Sequence, residues 1–320
     1  MKRSTDRILT THVGSLPRPR QLLDAVGALT AQNGAASADA QAAYEGILRS
    51  SVADLVRRQA ASGVDVISDG ELGKASWATY ILDRISGFEI RRDRMQPLVW
   101  LGRDRDRFPE FFAKEMPNAI TGAPTEVCVG PVEYRGAAAM QRDIDNFKAA
   151  LANVQVEEAF LPVVAPASTA YNGINEYYPS EREYVFAIAD ALRHEYRAIV
   201  DAGLLVQVDD AVLANMYDHL VQTSPEHYLK WAQLRVDALN HALEGIPEDR
   251  VRYHVCFGSW HVPHVADAPL EAMIDLILQV RAGAYSIEAA NPRHEQLAYA
   301  RHPGRRFDSG QRRPKQERPL

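Results

Sequence analysis

His254-Val255-Cys256 sets an imidazole and a thiol two residues apart in the apolar run Val251–Cys256. On an extended strand both side chains leave the same face, roughly 7 Å apart along it. Such a pair suits one Zn²⁺ ion, which takes His, Cys and carboxylate ligands and, in catalytic sites, keeps one position open for substrate. Glu288, at the end of the next apolar run, is the natural third ligand. The same spacing also fits a buried, inert Cys256 beside a hydrogen-bonded His254. Two other apolar runs end in acids, at Asp69-Gly70-Glu71 and Asp209-Asp210, where a carboxylate either faces a ligand or caps the following helix. Ser15 precedes Leu16-Pro17, where a hydroxyl can equally close a turn.

These residues need elements that bring them to one side of a fold. Three segments repeat one arrangement: an amphipathic helix, a small residue and Gly, an apolar extended run, then an acid. Tyr44, Leu48, Val52, Leu55 and Val56 precede Gly63 and Val64–Ser68; Val185, Ile188, Leu192, Tyr196 and Ile199 precede Gly203 and Leu204–Val208; Met273, Ile274, Ile277 and Val280 precede Gly283 and Ala284–Ile287. A helix followed by a continuous apolar strand is half of a parallel βα unit, whose strand is covered on both faces. Ile8–Gly14, Glu126–Gly130, Phe160–Pro166 and Val251–Cys256 supply further strands. The pattern predicts an α/β fold, a (β/α)₈ TIM-like barrel lacking its eighth strand, with active-site residues at the C-terminal ends of the strands. Ala28–Ala43 and Phe88–Thr125 read as loop insertions with some helix, the second a lid over the mouth.

Composition narrows the function classes. The 320 residues are 46% hydrophobic and 24% charged with a formal net charge of −6, an ordinary globular profile. Residues 296–320 hold seven Lys and Arg against two acids, net +5, which leaves −11 on residues 1–295. An acidic body argues against nucleic acid as a partner, since that footprint needs cations clustered on a folded face. A basic tail used as a nucleic-acid arm is the weaker alternative. The tail, poor in apolar residues, is expected to be disordered, so the barrel domain spans 1–295. Two distant cysteines, Cys128 and Cys256, point to a reducing cytoplasm, and no run is long enough to span a membrane. Cys128 reads as a packed strand residue.

Six motifs in order now carry a resemblance: TTHVGSLPRP at Thr10–Pro19, SDGE at Ser68–Glu71, GPVEY at Gly130–Tyr134, QVDD at Gln207–Asp210, HVC at His254–Cys256 and IEAANPRHE at Ile287–Glu295. Together they resemble the cobalamin-independent methionine synthase family, in its short single-barrel form. The resemblance implies a zinc-dependent methyltransferase that alkylates a small thiol, most simply homocysteine, with a methylfolate or a methylcorrinoid as donor. It implies zinc ligands at His254, Cys256 and Glu288, and substrate contacts at Ser15, Glu71 and Asp209, the last pairing with the amino group of homocysteine. Tyr177-Tyr178 with Asn175-Glu176 resembles a family loop that either lines the pocket or packs on neighbours. The family's fourth zinc ligand, a second cysteine in the last strand, has no counterpart after Glu295, and the Pro after the acidic pair is Ala211. His261, His264 and His294 are the remaining histidines near the metal motif. Epoxide alkylation of coenzyme M and a truncated, inactive barrel are the alternatives that the departures leave open.

Overall fold

The computed structural model describes residues 1–30, 37–96, 98–118, 122–171, 173–258, 262–288 and 307–308. Helices α1 (Arg20–Thr30) and α2 (Ala38–Ala61) lead into strand β1 (Val66–Ser68). An arm follows, of β2 (Phe88–Gln96), α3 (Gly102–Arg107), α4 (Pro109–Glu115) and β3 (Ala123–Cys128). Then come α5 (Ala137–Leu151), β4 (Glu158–Val164), β5 (Ile174–Asn175), α6 (Glu181–Asp201), β6 (Leu205–Asp210), α7 (Val212–Asn215), α8 (Tyr217–Val221), α9 (Pro225–Ala242), β7 (Val251–Val255), α10 (Leu270–Ile277), β8 (Ala284–Ile287) and β9 (Phe307–Asp308).

The main sheet runs β1-β4-β6-β7-β8-β9, every pair parallel. Its first five strands form a curled half-barrel, part of a TIM-like architecture. All six residues of β6 are buried, which is why this strand reads as a continuous run. The amphipathic helices supply the cover: Val185, Ile188, Leu192, Tyr196 and Ile199 of α6 are buried in the shared core with Val206 and Val208. Gly63 and Gly203 stand just past α2 and α6 at φ 77° and 87°, a left-handed turn that releases the chain into the next strand. Ser180 and Ser224 cap α6 and α9 by accepting the N–H groups of Glu183 and His227.

Three sequence expectations change. Ile8–Gly14 is not a ladder strand among the described residues; it makes a single parallel bridge, Thr11 to Val66. Side chains hold this segment instead, Gln207 donating to the Val13 carbonyl and Arg252 to Thr11 Oγ1 and the His12 carbonyl. The strand expected at Glu126–Gly130 does form, as β3, but outside the parallel sheet: it pairs antiparallel with β2 and parallel with β5, while β4 pairs directly with β1. The segment Phe88–Thr125 thus contains a long strand as well as the expected helix. Charged residues fill both faces of β2, which hides its period from a hydrophobicity reading. Finally, Phe307–Asp308 pairs with Tyr285 and Ser286, so the basic tail does contribute a short strand at the edge of β8. Two residues are too few to register as a run; the rest of that tail lies outside the described residues.

Candidate functional site

Register brings the polar strand ends together. Asp209, His254 and Ser286 are direct partners across β6, β7 and β8. Gln207 and Arg252, one pleat earlier, are partners in turn and share that face. Asp210 points the other way. Its Oδ1 accepts the N–H groups of Val212 and Leu213 that open α7, and its Oδ2 accepts the Tyr253 hydroxyl at 2.9 Å. Of the two adjacent acids, Asp210 is therefore the helix cap. Asp209 is turned to the interior, where its Oδ1 accepts from Gln207 Nε2 at 2.7 Å. The other amide atom of Gln207, Oε1, is buried with no hydrogen-bond partner among the described residues.

Ser15 and Glu71 meet, Ser15 Oγ donating to Glu71 Oε1 at 3.0 Å. Glu71 is 1% exposed and lies in the left-handed region at φ 57°, a conformation an L residue keeps only where its surroundings enforce it. The enforcing contacts are local. Asp69 Oδ1 accepts the Glu71 N–H, Lys74 N–H donates to the Glu71 carbonyl, and Arg18 donates to the carbonyls of Glu71 and Lys74. Lys74 Nζ reaches Glu71 Oε2 at 3.1 Å and the Pro162 carbonyl at 2.5 Å. A turn, not a helix, follows Glu71, so its carboxylate caps nothing.

Burial dominates the electrostatics. It raises the Asp209 carboxyl well above the usual carboxylate range, Glu71 adds to the shift, and Lys74, Gln207 and Arg252 oppose it. Asp69 is pushed up to about 6, again by burial first. Burial pushes His254 down to about 4, so its imidazole is neutral at pH 7. Cys256 is pushed up to about 11 by burial, with Asp209, Glu288 and Asp210 adding to the rise. The charge of Glu71 also bears on His254, as the smallest of the influences on it.

The donor chemistry of the metal motif fits zinc. His254 Nδ1 lies 3.1 Å from the Ser286 carbonyl, which can only accept; Nδ1 therefore carries the proton and Nε2 keeps a free lone pair. Cys256 is half-buried and unoxidised, its Sγ accepting from the Gly258 N–H at 3.3 Å. Glu288 follows β8 and is exposed. Among the described residues no group of three His, Cys, Asp or Glu is gathered closely enough to hold a metal ion. His264 is paired with Asp267 at 3.0 Å, while His261 and His294 lie outside the described residues. Cys128 is fully buried in β3. The tyrosine loop packs on the arm: Tyr178 Oη accepts the Val132 N–H, and Glu176 is bridged to Arg91 and Arg94.

Lys74 and Gln207 were not singled out from the sequence. Gln207 left a signal, a lone amide inside an apolar strand. Lys74 left none, since the turn that buries it is visible only in three dimensions.

Comparison with known proteins gives one answer at three levels. Residues 8–96 match the family model described as the cobalamin-independent synthase catalytic domain. The chain is similar to the methionine synthase of Thermococcus kodakarensis, 24% identical over 299 residues, covering 91% of this chain and 71% of the relative. It is also similar to that of Sulfurisphaera tokodaii, 25% identical over 252 residues, covering 78% and 62%. Its fold is similar to a B12-independent methionine synthase from Shewanella solved with selenomethionine, at a TM-score of 0.58 and 16% identity over 89% of this chain and 74% of that one. A putative counterpart from Listeria monocytogenes gives a TM-score of 0.57 at 19% identity, over 88% and 74%.

Proposed function

We propose, from its similarity to the cobalamin-independent methionine synthase family, that this chain transfers a methyl group to the thiol of homocysteine. The observation that carries the reading is the buried Ser15–Glu71 contact together with Gln207, whose amide links the Val13 carbonyl, two residues before Ser15, to Asp209, the register partner of His254. Two carboxylates under cover are costly to keep unless a cation completes them, and the ammonium of an amino-acid thiol is such a cation. That a Shewanella relative was solved with selenomethionine, the selenium counterpart of the methylated product, supports the same substrate class.

His254, Cys256 and Glu288 would hold zinc, which when bound supplies a Lewis acid that favours the thiolate form of the substrate. The remaining work belongs to the chain. Glu71 and Asp209 hold the ammonium end, Ser15 fixes one oxygen of Glu71, and the Ser286 carbonyl keeps the His254 proton on Nδ1. With the amino end anchored, the sulfur has one orientation toward the donor methyl, which lowers the entropic part of the barrel-mouth reaction's barrier. A methylfolate or a methylcorrinoid both remain donors for this reading. Its setting is a cytoplasmic one, consistent with two free cysteines and with the lack, among the described residues, of any helix long and apolar enough to cross a membrane.

The test supplies purified protein with zinc, homocysteine and each donor in turn, and follows methionine by mass spectrometry. Methionine formation above the protein-free rate supports the reading. No product from any donor overturns it.

A further inference from the structure

We propose that Lys74 is a positioning residue of the thiol-acceptor site: its ammonium fixes one oxygen of Glu71 and leaves the other on the Ser15 side, so that the Glu71/Asp209 pair selects a thiol bearing an ammonium group. This rests on the reading of the site given above and extends it to the selection of the acceptor.

The argument starts from the saturation of Lys74. Its side chain is 5% exposed, and two of its three N–H donors are used by Glu71 Oε2 at 3.1 Å and the Pro162 carbonyl at 2.5 Å. The Tyr80 ring lies 4.4 Å away and takes up the remaining face of the ammonium. Lys74 thus has nothing left for a substrate, and acts only through Glu71. Glu71 Oε1, in contrast, has Ser15 Oγ as its partner, on the side where Gly14 approaches.

Local backbone serves the same end. Glu71 adopts a left-handed φ of 57°, and the Glu71–Lys74 turn is closed by the Lys74 N–H and by Arg18 across both carbonyls. Strain of this kind persists only when contacts over-determine it. A buried ion pair is weak support for stability, since apolar residues of similar volume often do as well. Its use here is directional.

Orientation gives the selectivity. Lys74 and Arg252 both bear on Asp209, yet burial and Glu71 still raise its carboxyl well above the usual range, so its ionised form is favoured only when a further cation lies beside it. Arg252 is held by Thr11 Oγ1 and the His12 carbonyl and keeps its place. The unpartnered Gln207 Oε1 adds an acceptor beside Asp209. The fixed Glu71 carboxylate with the acceptors of Asp209 and Gln207 beside it complements a single ammonium, which a thiol without an amino group does not supply.

The experiment measures calorimetric affinity of zinc-supplied protein for homocysteine and for 4-mercaptobutanoate, which differs only in lacking the amino group. Wild type should prefer homocysteine by at least about tenfold, the value of one charge-assisted hydrogen bond. Lys74→Met should reduce the preference to within about threefold, mainly by loss of homocysteine affinity, and Lys74→Arg should restore part of it. A Lys74→Met preference equal to that of wild type overturns the proposal and leaves the site reading intact. Equal wild-type affinity for the two thiols overturns the site reading and the proposal with it. Should Lys74→Met fail to fold, Lys74→Met/Glu71→Gln removes both buried charges. Its preference should match that of Glu71→Gln alone, and a clear difference between the two contradicts an action of Lys74 through Glu71.

Discussion

Two buried clusters of charge share the Tyr80 ring, over which Lys74 and Arg84 lie 4.4 and 4.9 Å from the centroid. On one side Arg84 bridges Asp143 and Glu195 at 2.5 and 2.9 Å, Arg142 adds a second cation to Asp143, and the hydroxyls of Tyr80 and Tyr134 complete Glu195. Burial alone would lower the Arg84 pKa, but Glu195 and Asp143 outweigh it and hold the guanidinium firmly charged. Two cations are in direct contact with two carboxylates. On the other side, of Glu71 and Asp209, Lys74 contacts Glu71 alone, and no cation is in ion-pair contact with Asp209 among the described residues. The Asp209 carboxyl rises well above its ordinary range although Lys74 and Arg252 oppose the shift. The first cluster ties α5 and α6 to the turn at Arg84 and is complete. The second is complete only when something positive enters it, and this difference separates a structural network from a site.

Breaking the balanced cluster should have the largest effect. Arg84→Met strands Glu195 and leaves Asp143 with Arg142 alone, and should cost about 3–5 kcal/mol, read by denaturant unfolding. A loss under about 1 kcal/mol would mean that the two clusters are not distinct in kind. The unbalanced cluster should respond in the opposite sense. Asp209→Asn removes a buried carboxyl that is costly to ionise, so stability should hold or rise, while homocysteine affinity falls by about 10–100-fold, the value of roughly 1.5–3 kcal/mol for a charged hydrogen bond. Calorimetry on the same sample as the melt checks both halves.

A smaller effect separates the clusters by pH. Asp69, beneath Glu71, has a folded-state pKa of about 6, above its unfolded value of about 3.9. The folded state therefore binds the extra proton, and the stability it contributes is full below about pH 4 and is lost as pH rises through 6. Asp69→Asn should flatten the stability profile across that window. An unchanged slope would show that Asp69 does not carry the pH dependence of this region.

How much of this was legible depended on whether the information was local. The apolar runs of β6 and β7, the αL glycines after α2 and α6, and the acids that end each run are properties of short segments, and they led to the right strand ends. The positions of β3 and Phe307–Asp308 were not legible, because strand pairing is decided by partners far away in sequence. The division of labour between Asp209 and Asp210 follows from side-chain alternation once β6 is known to end at Asp210. Lys74 is a lysine in a polar turn as sequence, and becomes a buried counter-ion only because β4 brings the Pro162 carbonyl above it.

The account stands or falls on a thiol being activated at His254 and Cys256. Metal analysis of the purified protein, beside Cys256→Ser, tests this most directly, because a hydroxyl is a far poorer donor to zinc than a thiolate. The account predicts about one zinc per wild-type chain and a large loss of zinc in the variant. Equal zinc in both proteins, or none in wild type purified with zinc present, would contradict it.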